Sequence, residues 1–130
     1  MKTLTLLVLL VTSQFSHAAS AIELDCVARS VYHEARSLPK QHWIKVANVI
    51  QNRSKHYKKY RFGSKSSHLC DIVKSNQFSS NRMLTTRIKE PEIYGEIRET
   101  LKRSNWKTTT NALYFETKKG QMIYNTTWRK

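Results

Sequence analysis

"CVARSVYHEARSLPKQHWIKVANVIQNR", residues 26–53, holds two apolar patterns of helical period on either side of a proline. On the first side, Leu24, Val27, Ala28, Val31, Tyr32 and Ala35 recur at helical spacing, which predicts an amphipathic helix over 22–36. Pro39 then suits the first turn of a second helix. Trp43, Val46, Ala47 and Ile50 form the apolar stripe of that helix, which is expected to end near Arg53.

The rest of the chain adds smaller pieces. "SKHYKKYRFGSKSSH" (54–68) is a basic loop dotted with aromatics, and "LCDIVKS" (69–75) suits a short helical turn. Pro91 opens a further helix with Ile93, Ile97 and Leu101 in register, weakened by about 1 kcal/mol at Gly95. In "NALYFETKKGQMIYN" (111–125) the period changes. Two short β-prone runs flank "KKGQ", which signals a hairpin. The expected fold class is therefore α+β: a small, mainly helical domain with a short C-terminal β-hairpin.

At 130 residues the chain holds one domain. Its first residues read as a signal peptide. Lys2 supplies the positive start, and Leu4 to Val11 form an apolar run too short to cross a bilayer. Small residues precede two possible cuts, after Ala18 or after Ala21. This assigns 1–21 to the leader and 22–130 to a single exported domain, in the periplasm or the cell wall. Cys26 and Cys70 are the two cysteines, and in an oxidising compartment an even pair reads as one disulfide.

The formal charge is +14, from 23 basic and 9 acidic residues. Such a balance favours anionic partners. For an exported chain these are anionic cell-wall polymers rather than nucleic acid, and Lys55, Lys58, Lys59 and Arg61 are the candidates for holding them. Against this background Glu34 stands out. It lies beside the apolar stripe of the first helix, neither at its centre nor opposite to it. By helix geometry alone, an ordinary surface glutamate or one paired with a lysine is the simpler reading. A carboxyl half desolvated at such a seam, however, keeps its proton near neutrality, as a general acid requires. The histidines lack metal-ligand spacing such as H-E-x-x-H, so no metal or cofactor is expected.

The longer string resembles the SleB-type cell-wall hydrolase family of bacterial and phage peptidoglycan hydrolases. The matching residues are Cys26, Ala28, Val31, Tyr32, Glu34, Ala35, Arg36, Pro39, Val46, Ala47, Val49, Ile50, Asn52 and Arg53. "CDIVKSNQFSS" adds Cys70, Val73, Gln77, Phe78 and Ser79, and the closing segment adds Ala112, Leu113, Tyr114, Phe115 and Trp128. The chain departs from the family's pattern at Ser37, Leu38, His42, Trp43 and Glu116. The resemblance implies a lysozyme-like domain, acting as a monomer, that cuts peptidoglycan glycan strands. Glu34 would be the acid/base of a lytic transglycosylase. Tyr32, Arg36, Gln77, Phe78 and Tyr114 would contact substrate. An N-acetylmuramoyl-L-alanine amidase and a water-using muramidase are the alternatives, the latter drawing a second carboxylate from Asp71, Glu90 or Glu116. A basic exported domain that binds glycan without cutting it is the non-enzymatic alternative.

Overall fold

The structure, a computed structural model, describes residues 20–59, 64–75 and 86–127. The order of elements is α1 (Ala21–Ala35), α2 (Lys40–Lys55), α3 (Leu69–Lys74), α4 (Pro91–Arg103), β1 (Tyr114–Lys118) and β2 (Gln121–Asn125). The chain is an α+β domain, mainly helical, that closes in a two-stranded antiparallel hairpin.

Each helix starts where local chemistry allows it. Ser20 caps α1, its hydroxyl accepting the Glu23 N–H at 3.1 Å. Glu23 also reaches outward: its Oε2 accepts the Leu69 N–H at 3.0 Å. That bond ties the first turn of α3 to the first turn of α1. His68 caps α3, with Nδ1 accepting the Cys70 N–H at 3.3 Å. The expected disulfide then joins the same two helices, Cys26 to Cys70, with Cα atoms 5.3 Å apart. Pro39 is the N-cap of α2, one position earlier than expected, because its extended ψ of 149° delays the first helical residue to Lys40. Pro91 sits inside the first turn of α4, where its missing N–H has no helical partner to lose.

The stripes read from the sequence meet in one core. Val27, Ala28 and Val31 of α1 pack with Val46, Ala47 and Ile50 of α2, with Ile72 and Val73 of α3 beneath and Ile97 and Leu101 of α4 against them. The corner between α1 and α2 is fastened by Trp43, whose indole N–H donates to the Ala35 carbonyl at 2.8 Å. The hairpin pairs Tyr114 with Asn125 and Lys118 with Gln121. Lys119 and Gly120, both at positive φ (50° and 74°), make the two-residue turn between them. Mirror-image turns of this kind match the right-handed twist of the strands. Phe115, Met122 and Tyr124 share one face of the hairpin and pack toward the helical core.

What holds the hairpin in place is a polar face of α2. The Asn48 Oδ1 accepts from the Thr109 N–H at 2.8 Å, and its Nδ2 donates to the Lys107 carbonyl at 3.2 Å. One turn on, the Asn52 Nδ2 donates to the Thr110 and Ala112 carbonyls at 2.9 and 3.0 Å. Arg53 Nε donates to the Leu113 carbonyl at 2.7 Å. Three side chains thus satisfy carbonyls and an N–H of the irregular 107–113 backbone, whose ends also bond to the Ser104 and Asn125 carbonyls. The strand that follows is delivered to a fixed position beside the ends of α1 and α2.

Candidate active site

Glu34 sits in the last turn of α1, half-buried. Burial pushes its carboxyl above the usual glutamate range, and the Arg53 guanidinium opposes that rise without cancelling it. Arg53 is only 2% exposed. Burial lowers its own pKa to about 10, with nearby Tyr114 and Glu34 acting in the opposite direction. It therefore stays cationic at neutral pH. An acid whose pKa is raised by burial, beside a fixed cation, is suited to reversible proton transfer. The neutral form is favoured by poor solvation, and the carboxylate formed on proton release meets a positive charge already in place.

Tyr114, the first residue of β1, joins this group through its electrostatic contact with Arg53. Its hydroxyl donates to Glu116 Oε2 at 3.2 Å, and the Lys118 ammonium lies 3.1 Å from Glu116 Oε1. Residues 114, 116 and 118 alternate on one side of β1, so strand period explains why these three lie together. Asn52 and Arg53 are structural groups that hold the 110–113 backbone, and Arg53 also lies close enough to Glu34 to act on its carboxyl, a proximity that sequence reasoning did not reach. The available signal was a charged residue next to Asn52 on the buried side of α2.

The other sequence-derived candidates divide. Tyr32 is 2% exposed, so the structure gives it to the core and not to an open glycan-binding surface. Its hydroxyl accepts the Glu90 N–H at 3.1 Å, and its ring meets Tyr94 edge-on. The physical reason is its place on the apolar stripe of α1. Arg36 is exposed and lies over the Tyr32 ring at 4.9 Å, with Nε 3.7 Å from Glu90 Oε1. It packs the end of α1 while remaining open to solvent. Gln77 and Phe78 lie outside the described residues, as does Trp128.

Of the three further carboxylates, Glu116 is linked to the site through Tyr114. Glu90 pairs with Arg36. Asp71 accepts the Ser66 hydroxyl at 2.6 Å and lines a surface hollow with Cys26 and Cys70, toward the opposite end of α1 from Glu34. Lys55, Lys58 and Lys59 are exposed at and beyond the end of α2, whereas Tyr60, Arg61 and Phe62 lie outside the described residues. Among the described residues, no helix is long and apolar enough to cross a membrane.

No family model, curated protein or solved structure matches this chain.

Proposed function

We propose that this protein is an exported peptidoglycan-cleaving enzyme, a lytic transglycosylase of the SleB type, with Glu34 as its single acid/base. The observation that carries the reading is the half-buried Glu34 carboxyl, its pKa raised by burial, with the buried Arg53 cation beside it. Glu34 gives its proton to the oxygen between MurNAc and GlcNAc as the C1–O bond breaks. The resulting carboxylate, facing Arg53, then takes the proton of the MurNAc C6 hydroxyl. The freed O6 closes on C1, giving a 1,6-anhydro ring and a regenerated acid. No water enters, so no second carboxylate is needed. Tyr114 and Arg36 are the described side chains best placed to contact the glycan, with Gln77 and Phe78 as further candidates. The exposed lysines 55, 58 and 59 would hold anionic wall polymer.

Glu34→Gln preserves shape and removes the titratable proton. It should lower turnover on purified peptidoglycan by about 100-fold or more, the scale of general acid–base catalysis. Wild-type products should end in 1,6-anhydroMurNAc by mass spectrometry. Reducing ends at each cut would replace this reading with a water-using muramidase, and Glu116 would then be the second carboxylate to test. Free peptides with intact glycan would replace it with an amidase. Intact strands bound in a salt-sensitive manner would leave a glycan-binding domain.

A further inference from the structure

Ser30 lies within α1 and is fully buried, yet its hydroxyl has no hydrogen-bond partner among the described residues. A serine hydroxyl on a helix ordinarily turns back to a carbonyl one turn earlier. Other serines of this protein do so. The Ser75 hydroxyl donates to the Ile72 carbonyl at 2.6 Å, and the Ser104 hydroxyl donates to the Leu101 carbonyl at 2.8 Å. Ser30 makes no such bond. A buried hydroxyl left in this state destabilises the fold, and alanine would fill nearly the same space with a better helix propensity. A serine at this position therefore calls for a partner.

The group within reach is Glu34. Ser30 and Glu34 lie one turn apart on the same side of α1, a spacing that puts Cβ atoms about 5–6 Å from each other. The Cα–Cβ bonds of a helix tilt toward its N-terminus, so a long side chain covers the turn before its own Cα. For Glu34 that is the turn that holds Ser30. The Glu34 carboxyl feels the Arg53 charge from α2 but takes no side-chain hydrogen bond among the described residues. Tyr114, from β1, acts on Arg53. One face of one helix thus carries a buried donor without an acceptor and, a turn later, a half-buried acceptor without a donor.

We propose that Ser30 is a positioning residue for Glu34, its hydroxyl donating to the Glu34 carboxylate once the acid has given up its proton. Rotation of the two side chains between staggered wells brings them together. A hydrogen bond to an ionised acceptor is stronger than one to a neutral acceptor, so the bond favours the carboxylate and fixes its orientation. Arg53 then supplies charge from α2, and Ser30 supplies direction from within α1. In the proposed reaction the carboxylate has to collect the proton of the C6 hydroxyl, and a carboxylate already oriented is what that second step needs. This use in catalysis rests on the transglycosylase reading; the bond between Ser30 and Glu34 does not.

The test compares the full protein with its Ser30→Ala variant by ¹³C NMR titration of the Glu34 carboxyl. Loss of the donor should raise the Glu34 midpoint by about one pH unit, the scale of a hydrogen bond to a charged group. Thermal unfolding gives a second readout. At a pH where Glu34 is protonated, Ser30→Ala should unfold at or above the wild-type temperature. Where Glu34 is ionised it should unfold below it, because only then does wild type have the bond to lose. In a Glu34→Gln background the effect of Ser30→Ala should no longer depend on pH. A hydroxyl that only fills space, or that bonds its own helix, gives none of this pH dependence. An unmoved or lowered Glu34 midpoint, or a Ser30→Ala effect that is the same at every pH, would overturn the proposal. Positioning and activity fail separately. If Glu34 is the catalytic acid, the alkaline limb of kcat/KM on purified peptidoglycan moves up with the midpoint. A raised midpoint with an unmoved limb would refute only the catalytic role of Glu34. Anhydro products from a Ser30→Ala protein whose Glu34 midpoint has not moved would refute only the role of Ser30.

Discussion

Replacing Arg53 by Met tests the site and the scaffold together. Arg53 is nearly inaccessible, and its Nε makes a 2.7 Å hydrogen bond to the Leu113 carbonyl at the start of the hairpin. Methionine fills similar space but donates nothing. The change removes a bond from a charged donor and leaves a carbonyl in a buried segment without that partner. Such a loss costs about 2–3 kcal/mol. For a domain of this size that lowers Tm by about 10 °C or more. A second effect is electrostatic. Arg53 holds the Glu34 pKa down against burial, so Arg53→Met should raise it further. Thermal unfolding followed by circular dichroism reads the first effect, and ¹³C NMR titration of the Glu34 carboxyl reads the second. Arg53→Lys separates them. It returns a cation near Glu34 without the planar fork that reaches Leu113, so it should restore the titration more than the stability. An Arg53→Met protein with wild-type Tm and an unmoved Glu34 titration would refute the reasoning on both counts.

Glu34→Gln should also alter stability with pH. A carboxyl whose folded pKa is raised contributes stability that is present below its unfolded pKa and lost as pH rises through its folded pKa. The variant should therefore unfold at a higher temperature than wild type at neutral pH, with the gap closing toward about pH 4; a gap that widens in acid would contradict the burial argument. Gly95 lies inside α4, and a Cβ placed there meets nothing within 4 Å. Gly95→Ala should stabilise the protein by about 1 kcal/mol through helix propensity, visible as a raised denaturant midpoint at constant m-value. Mass analysis without reductant should show Cys26 and Cys70 bridged. Reduction should cost about 4 kcal/mol on the chain-entropy account, measured by comparing unfolding with and without dithiothreitol.

Much of the fold is decided by local pattern. The period of Val27, Val31 and Ala35, and of Val46 and Ile50, is an instruction to one helix face, and both faces are buried where that instruction puts them. Pro39 and Pro91 mark helix starts because proline loses nothing there. Lys119–Gly120 marks the hairpin because the turn needs two positive φ values and glycine supplies one without strain. The two cysteines imply their bond because no other pairing exists within the chain. The placement of Glu34 at a seam is likewise a matter of angle along one helix.

What the sequence alone could not decide is everything that depends on which group another element brings near. Tyr32 has the same helical angle whether its ring is open or covered; α4 and Glu90 cover it. Arg53 looks like a cation at the end of a helix. It becomes a buried neighbour of Glu34 because Asn48, Asn52 and Arg53 itself draw the 107–113 backbone onto α2. Tyr114 and Glu116 acquire their place from that same attachment. These contacts join residues far apart in the chain through hydrogen bonds that have no periodic signature. Burial and the sign of a neighbouring charge, the two quantities that set the chemistry of Glu34, exist only once the elements have packed.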